Sequence, residues 1–226
     1  MTTDKVTTKS SKGYKGLAME GLIASWYAKV TLNNLKRYQM VAAQLAERIP
    51  AGGRVLEIAP GPGYFCIELA KLGNFHITGL DISKSFVEMA RKNAAEAGFK
   101  IDFRLGNASA MPFAAGAFDF TFCQAAFKNF SEPVKAIVEM YRVLRPGGTA
   151  VIIDMRHDVS AEEMDREVNG MDASPLNRAF VRWTFKHMLS KNAYTVAEMQ
   201  AMIAKTPFGK GKFEIGGVGF QVWLEK

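Results

Sequence analysis

The segment from Val55 to Gly63, Val-Leu-Glu-Ile-Ala-Pro-Gly-Pro-Gly, constrains this chain more than any other. Its apolar start predicts a buried strand, and glycines at 61 and 63 let the backbone pass close beneath a ligand. A helix that follows such a turn offers free N–H groups and a positive dipole end. We therefore expect the turn to lie under a nucleotide-like cofactor.

Strand and helix patterns alternate along the middle of the chain, which predicts an α/β fold with a parallel sheet and helices on both faces. The predicted strands cover 54–58, 75–80, 101–105, 118–123 and 148–155, and the predicted helices cover 64–72, 83–97 and 133–144. A helical stretch over 17–49, interrupted near 31–34, precedes them. Near the end, Thr195 and Glu198 have the spacing of a capping box. Strands at 212–215 and 220–225 follow, joined by a glycine-rich link that forces an antiparallel hairpin.

Bulk composition limits the class of protein. A chain of 226 residues with 48% apolar residues is long enough for one full domain. It has neither an apolar run of the ~18 residues that span a bilayer nor a secretory signal, so we expect no membrane span. Two cysteines, Cys66 and Cys123, favour a reducing cytoplasm over a disulfide framework or a cysteine metal site. The net charge of +7 comes partly from a lysine-rich tail, which is only weak ground for a nucleic-acid partner, so we expect nucleic acid not to be the partner.

Asp81 ends the second predicted strand. Ligands of open parallel sheets bind at the carboxyl ends of the strands, where a carboxylate can accept both hydroxyls of a ribose. The alternative is a helix N-cap, although Ser83 can take that role alone.

A third piece, Gly106 to Phe113, follows the third strand. Its asparagine, Asn107, suits the amine edge of an adenine, with Ile82 and Met111 on the ring faces, but Gly-Asn is equally common in ordinary turns. Dinucleotide folds need a third glycine where this chain has Cys66, so a dinucleotide oxidoreductase is disfavoured.

These pieces, with Met140 to Gly148 (Met-Tyr-Arg-Val-Leu-Arg-Pro-Gly-Gly), resemble the class I S-adenosylmethionine-dependent methyltransferases. The likeness is to the methyltransferase type 11 branch, similar to ubiquinone and menaquinone biosynthesis enzymes, and covers about 54–154. It implies a Rossmann-like doubly wound sheet of seven strands, order 3-2-1-4-5-7-6, mostly parallel with a C-terminal antiparallel hairpin. It implies S-adenosyl-L-methionine as cofactor and S-adenosyl-L-homocysteine as product.

The resemblance also implies residue roles. Glu57, Gly61 and Gly63 line the methionine moiety, Asp81 holds the ribose, and Ile82 lies beside the adenine. Asn107 and Ala108 meet the adenine edge, Gln124 approaches the methionine ammonium through its backbone carbonyl, and Tyr14 closes the site, with Tyr27 as second candidate. The chain departs from the family in two prolines around Gly61, in Asn107 where an aspartate is usual, and in Lys128-Asn129 where a histidine pair is frequent.

Methyl transfer from a sulfonium needs alignment first, and a general base only where the acceptor must lose a proton. His157 and Asp158, after the fifth strand, are the candidates for a catalytic pair, although a loop or cap pair is the commoner use. Substrate candidates are Glu20, Trp26, Tyr27, Lys128 and His187, the last also explained as a lid histidine. Met164, Met171, Phe180, Phe185 and Met188 form either an apolar substrate wall or ordinary helix packing.

The whole chain, 1–226, is expected to be one domain with a mobile tail at 1–13, an N-terminal helical cap at 14–49 and a helical insert or lid at 158–193. The favoured activity is methyl transfer to a small-molecule acceptor through O, N, S or C, by a monomer or homodimer. An RNA or protein methyltransferase, and a cofactor-binding protein without methyl transfer, stay open as alternatives. No metal site is expected.

Overall fold

The computed structural model describes residues 13–15, 19–32, 35–170, 174, 178–179, 182 and 191–226. Its strands are β1 (Arg54–Ile58), β2 (His76–Asp81), β3 (Asp102–Leu105), β4 (Phe118–Gln124), β5 (Leu144–Met155), β6 (Lys212–Gly216) and β7 (Gly219–Glu225). These described strands form one seven-stranded sheet in the order β3-β2-β1-β4-β5-β7-β6. β1 to β5 pair in parallel, and β7 is antiparallel to both β5 and β6. The predicted fold class and strand order are confirmed.

The helices of the described part are α1 (Gly21–Leu32), α2 (Leu35–Ala46), α3 (Tyr64–Ala70), α4 (Lys84–Glu96), α5 (Pro133–Val143), α6 (Ala161–Asn169) and α7 (Val196–Ile203), with a short 3-10 helix at Phe127–Asn129. No helix among the described residues is long and apolar enough to cross a membrane. Residues 1–12 of the expected tail lie outside the described residues, as do Met171, Phe180, Phe185 and Met188 of the insert.

Two apolar clusters fill the two faces of the sheet. One joins α5 and α7 to the sheet through residues such as Ile137, Met140 and Met199. The other joins α2, α3 and α4 to the opposite face, where Phe65 packs on Phe122 with ring centroids 4.2 Å apart. Burial of both faces explains why the parallel strands have nearly continuous apolar sequences.

Local signals in the sequence set most element ends. Ser83 caps α4 by accepting a hydrogen bond from the Phe86 N–H, and Thr195 with Glu198 forms the predicted capping box of α7. The sequence predicts Leu144 as the last residue of the helix over 133–144 and a strand that starts at Gly148, and this prediction is wrong at Leu144. In the structure α5 ends at Val143. Leu144 is the first residue of β5 and pairs with Phe118 before a register shift.

Two alanines adopt the left-handed backbone conformation at the carboxyl ends of adjacent strands. Ala59, after β1, has φ +58°, and Ala125, after β4, has φ +56°. This conformation costs a residue with a Cβ roughly 1–2 kcal/mol, and such strain concentrates at ligand sites. Hydrogen bonds from their N–H groups to Leu80 O and Ile153 O, both 2.8 Å long, hold the two turns against the neighbouring strands.

Candidate functional site

A large cavity opens at the carboxyl ends of β2, β1 and β4, with a volume of about 1180 Å³ including its open mouth. Eight of the nine residues predicted to bind the cofactor line it, and only Gly63 does not. The eight are Tyr14, Glu57, Gly61, Asp81, Ile82, Asn107, Ala108 and Gln124. The strand ends therefore bring together pieces that are far apart in sequence.

Asp81 is held rigidly at the end of β2. Its Oδ2 accepts a hydrogen bond from the Gly61 N–H at 3.0 Å, and its Oδ1 accepts one from the Ser83 N–H at 2.9 Å. Since Ser83 itself caps α4, Asp81 is not needed as the helix cap, which was the competing explanation. Burial raises the pKa of Asp81 to about 6, although the two backbone hydrogen bonds oppose the rise. Each oxygen keeps a lone pair for a ligand hydroxyl.

Glu57 is the second buried carboxyl group of the wall. The Cys66 thiol donates a hydrogen bond to its Oε2 at 2.7 Å. Burial raises the pKa of Glu57 to about 8; the hydrogen bond from Cys66 opposes this rise, and the nearby Asp81 adds to it. Burial also raises the pKa of Cys66 well above its usual range, so this thiol stays a neutral donor. The residue that replaces the third glycine of a dinucleotide turn thus supports the carboxyl group.

The two glycines of the turn have different environments. Gly61 has φ +55°, and a Cβ built there would meet no atom within 4 Å, so its α-carbon faces open space. Gly63 has φ +80°, and a Cβ there would come within 2.9 Å of both Ala90 and Phe103. Gly63 does not line the cavity. We assign it a packing role, in which it lets α3 approach α4, and not the predicted contact with the methionine moiety.

A buried ion pair supports the turn after β4. The Lys128 Nζ lies 2.9 Å from Asp154 Oδ1 and donates a hydrogen bond to the Ala125 carbonyl at 2.8 Å. The Lys128 N–H donates to Asp154 Oδ2 at 2.9 Å. Lys128, predicted to face the substrate, is buried beneath the turn and is absent from the cavity wall. Its contacts fix Ala125 and, with it, the neighbouring Gln124.

Gly13, Tyr14 and Lys15 cross the side of the cavity that Ile82 and Asn107 line. The Lys15 N–H donates to Asn129 O at 2.7 Å, and Tyr14 bridges to Phe130. Gly13 lies so close to Ile82 and Asn107 that a Cβ would come within 2.6 Å of the Ile82 Cδ1. The expected mobile tail ended at this residue, which the structure places in the cavity wall.

Glu20 ties the start of α1 to the start of α4. Its two carboxylate oxygens accept hydrogen bonds from the Lys84 and Ser85 N–H groups at 2.9 and 3.0 Å. Burial opposes ionisation of Glu20, but these hydrogen bonds and that of the Ser85 side chain outweigh it and lower the pKa. Glu20 lines the cavity, and its contacts hold the start of α1 against the start of α4.

Aromatic side chains from α1 and α2 also line the cavity. Tyr27 and Tyr38 line it together with Phe65 and Gln124. Burial raises the pKa of both tyrosines, with a further rise for Tyr27 from Tyr14 and for Tyr38 from Tyr27, so both hydroxyls stay protonated. The Gln124 amide oxygen is buried and has no hydrogen-bond partner among the described residues.

Both interpretations of Asn107, an ordinary turn and a contact with a ligand ring, are compatible with the structure. Its Oδ1 accepts a hydrogen bond from the Ser109 N–H at 2.9 Å, which is the ordinary turn. The residue also lines the cavity beside Ile82 and Ala108, where a ring edge can reach it. Met111, expected on the ring face, is buried in the core instead.

Several predicted residues do not reach the cavity. His157 and Asp158 are exposed beyond the end of β5, where the His157 N–H donates to Tyr194 O and Asp158 lies 3.5 Å from Arg156. Trp26 points away from the cavity and is exposed. His187 lies outside the described residues. A catalytic role for His157 and Asp158 stays a prediction that this geometry does not support.

Sequence reasoning missed Tyr38, Phe130 and Gly13 as wall residues, as well as the pairing of Cys66 with Glu57. Tyr38 belongs to a helix whose only visible signal was its apolar spacing. A paired role for Cys66 could have been suspected, because it lies one turn into the helix that follows the strand carrying Glu57.

The wall of the cavity holds acidic side chains and no basic ones among the described residues. Glu20, Glu57 and Asp81 line the cavity, and none of the described lining residues is a lysine, arginine or histidine. A cationic ligand is therefore favoured over a phosphate-bearing one, because no described cation is present to pair with phosphate.

The fold and the cavity together define a Rossmann-like protein that binds a nucleoside-type cofactor at its strand ends. Comparisons with known proteins agree. A family model described as a methyltransferase domain matches residues 56–152. The demethylmenaquinone methyltransferase of Deinococcus radiodurans is 30% identical over 68% of this chain and 67% of its own length. The ubiquinone/menaquinone biosynthesis C-methyltransferase UbiE of Roseobacter denitrificans is 34% identical over 46% of this chain and 43% of its own.

A crystal structure from Methanococcus maripaludis, provisionally described as an S-adenosyl-L-methionine-dependent methyltransferase, superposes with a TM-score of 0.73 at 22% identity, over 94% of this chain and 95% of that one. The chain belongs to the class I S-adenosylmethionine-dependent methyltransferases, in the branch of the ubiquinone and menaquinone biosynthesis enzymes. The predicted family, enzyme class and cofactor are confirmed. The chain spans about half the length of most curated relatives that it matches.

Proposed function

We propose that this protein transfers a methyl group from S-adenosylmethionine to a small, uncharged ring acceptor of the quinol type, by in-line displacement. The observation that carries the proposal is the acidic wall, with Glu20, Glu57 and Asp81 in it and no basic side chain among the described lining residues. Such a wall suits a ligand with a sulfonium and an ammonium group. It disfavours an RNA substrate, whose phosphates would meet carboxylates.

The chain's own residues divide the binding of the cofactor. Asp81 accepts the ribose hydroxyls, since its two backbone hydrogen bonds already fix the carboxylate plane. Asn107, Ala108 and Ile82 surround the adenine, and Tyr14 covers it. Gly61 leaves room for the methionine moiety, whose ammonium faces Glu57 and the Gln124 carbonyl. When bound, the cofactor supplies a methyl group already activated by its positive sulfur.

The acceptor is proposed to lie beside Gln124, Tyr27 and Tyr38. A buried amide oxygen without a partner costs about 1–3 kcal/mol, which a ligand O–H or N–H relieves. The terminal torsion of a glutamine is soft, so the amide can turn toward a ligand. Two protonated tyrosines and Phe65 add an aromatic lining. The Deinococcus and Roseobacter relatives, named for demethylmenaquinone and for ubiquinone/menaquinone biosynthesis, support a ring acceptor of this kind.

Alignment is the chemistry that these residues supply. Orientation of two reactants is worth up to ~7–11 kcal/mol of the barrier. The described wall holds no histidine or lysine to act as a base, so an acceptor that already carries an electron-rich centre fits best. A quinol ring, nucleophilic at carbon and oxygen, meets this requirement.

Further parts of the proposal concern the whole chain. Residues 14–49 serve as a cap over the site, and 158–193 as the insert that varies with substrate. Cys66 and Cys123 are buried and unpaired, which supports a cytoplasmic location. We propose a monomer or homodimer.

The test is a transfer assay with S-adenosylmethionine labelled in its methyl group, over quinols, phenols, amines and thiols. Gln124→Leu should raise the acceptor KM about 10- to 100-fold through loss of a buried hydrogen bond. Its affinity for S-adenosylmethionine should hold, because the backbone carbonyl remains. Gln221→Leu is the matched control, since Gln221 also has a buried, unpartnered amide atom on the same sheet but does not line the cavity.

Three results contradict the proposal. Labelling of RNA or protein in place of small molecules supports a macromolecular methyltransferase. Tight cofactor binding with no transfer to any acceptor supports a binding protein without methyl transfer. Equal kinetics of Gln124→Leu and Gln221→Leu remove Gln124 from the acceptor site.

A further inference from the structure

Helix α1 carries its large apolar side chains on the outside. Leu22 is 89% exposed, Trp26 63%, and Ile23 and Val30 43% each. The spacing of 22, 26 and 30, with 23 between, places these four on one side of the helix. We call them the α1 stripe. The opposite side, which faces the protein, holds the small residues Ala24 and Ala28 with Thr31. This is the reverse of the usual surface helix, whose apolar side faces the core.

The charged residues of α1 and α2 are all basic, while Glu20, just before α1, is held by the Lys84 and Ser85 N–H groups. Helices α1 and α2 together contain Lys29, Lys36 and Arg37 and no acidic residue. All three basic residues are exposed. A helix with exposed tryptophan and leucine on one side and flanking lysines has the features of segments that lie in the headgroup region of a membrane. Anionic lipid headgroups are complementary to this charge.

A second copy of the chain fits this face less well. In a two-fold symmetric pair the same surface meets itself. Such a pair would bring Lys29, which flanks the stripe on α1, close to its equivalent in two molecules of net charge +7. Like charges destabilise that arrangement, whereas an anionic lipid surface neutralises them.

The α1 stripe is adjacent to the candidate active site. Tyr27, next to Trp26 in sequence, lines the cavity from the same helix, and Glu20 clamps the start of that helix to α4. A surface that binds the α1 stripe therefore lies beside the cavity wall formed by α1.

We propose that the α1 stripe docks this protein peripherally on an anionic lipid surface, so that a lipid-soluble ring acceptor reaches the cavity past α1. The purpose of the docking rests on the proposed function, but the docking itself does not. If the protein docks in this way, its acceptor belongs to the ring compounds that partition into bilayers.

The experiment is co-sedimentation of the full chain with phosphatidylglycerol/phosphatidylcholine vesicles and with phosphatidylcholine vesicles. The wild type should bind the anionic vesicles, and the binding should weaken with added salt. Leu22→Gln/Trp26→Gln should lower vesicle affinity about tenfold or more, as expected for loss of two inserted apolar side chains. Lys29→Gln/Lys36→Gln should lower it about fivefold per charge.

The matched control is Leu105→Gln/Ile215→Gln. These residues are 54% and 55% exposed, comparable with the α1 stripe, but lie on β3 and β6 at the two edges of the sheet. This variant should bind vesicles like the wild type. Glutamine keeps helix propensity in α1, so unfolding temperature should be unchanged in Leu22→Gln/Trp26→Gln.

Four outcomes overturn the proposal. The first is a wild type that does not sediment with anionic vesicles, and the second is a control variant that loses binding equally. The third is a stripe variant whose unfolding temperature falls by several degrees, and the fourth is a dimer that the stripe substitutions dissociate. The third indicates that another part of the chain covers the stripe, and the fourth that a second copy does. Transfer to a water-soluble quinol is measured in parallel. If the wild type transfers no methyl group to this quinol, the proposed function is contradicted, whereas the vesicle-binding result is unaffected.

Discussion

Replacing Glu57 by glutamine should remove a pH dependence of stability from the ligand-free protein. The folded structure raises the pKa of this buried carboxyl group from 4.5 to about 8, chiefly through burial. The folded protein therefore binds a proton that the unfolded chain releases between these values. The stability that protonated Glu57 contributes is fully present below about pH 4.5 and is lost as the pH rises through about 8.

The magnitude follows from the same two values. At ~1.4 kcal/mol per tenfold change in proton binding, this group alone lowers the free energy of unfolding by about 3.5 kcal/mol between pH 5 and pH 8. For a chain of this size that corresponds to roughly 7–14 °C in Tm. Glu57→Gln resembles the protonated carboxyl group and can still accept the Cys66 hydrogen bond. It should match the wild type at pH 5 and exceed it at pH 8.

The assay is thermal unfolding of the ligand-free wild type and of Glu57→Gln from pH 5 to pH 8. Glu88→Gln, a change on the exposed side of α4, controls for loss of one surface carboxyl group. S-adenosylmethionine, being cationic, should bind the ionised site, so wild-type affinity should rise with pH over this range and Glu57→Gln should bind more weakly at pH 8. A difference in Tm between wild type and Glu57→Gln that is the same at both pH values would refute the reasoning.

Three further changes test other parts of the site. Asp81→Ala should weaken S-adenosylmethionine binding about a hundredfold or more in calorimetry, because two charge-assisted hydrogen bonds are lost. The control Asp102→Ala, at an exposed aspartate on β3, should leave the affinity unchanged. Equal affinities of the two variants would show that Asp81 does not bind the ribose. Lys128→Met should lower the free energy of unfolding by about 3–5 kcal/mol in urea titrations, because Asp154 is left buried without its charge partner. The double variant Lys128→Met/Asp154→Leu should recover part of this loss. A Lys128→Met variant as stable as the wild type would contradict a stabilising role for the pair. Gly63→Ala should lower the free energy of unfolding in urea titrations, because the new Cβ meets Ala90 and Phe103. Gly61→Ala should mainly weaken cofactor binding in calorimetry. The reverse pattern would contradict a packing role for Gly63 and a cofactor role for Gly61.

The sequence predicted the sheet because its determinants are local. Apolar runs alternating with amphipathic stretches define strands and helices, the short link at Gly216–Gly219 defines the hairpin, and Thr195 defines the start of α7. Asp81 was predicted for the same reason, since a carboxylate at a strand end has a known position in a parallel sheet.

Features that depend on distant contacts were not predictable in this way. The distinction between Gly61 and Gly63 depends on Ala90 and Phe103, which approach only one of them. Nothing local marks Lys128 as buried, because its partner Asp154 lies on the neighbouring strand. His157 followed a strand, as an active-site residue would, but the chain turns outward there to meet Tyr194.

Family motifs covered the cofactor side and left the acceptor side open. The match ends at residue 152, and Tyr27 and Tyr38, the cavity residues that we propose to face the acceptor, lie outside it. Their place in the wall follows from how α1 and α2 pack over the sheet. The proposed acceptor site therefore depends on the buried Gln124 amide and the aromatic lining, which only the folded structure brings together.

A crystal structure with S-adenosylhomocysteine bound would test the proposed cofactor site directly. We expect both ribose hydroxyls to donate to the Asp81 carboxylate and the adenine to lie between Ile82 and the Asn107–Ala108 edge. We expect the sulfur to lie on the side of the cavity lined by Gln124 and Tyr27. Adenosine bound away from Asp81, or a sulfur turned away from Gln124, would contradict it.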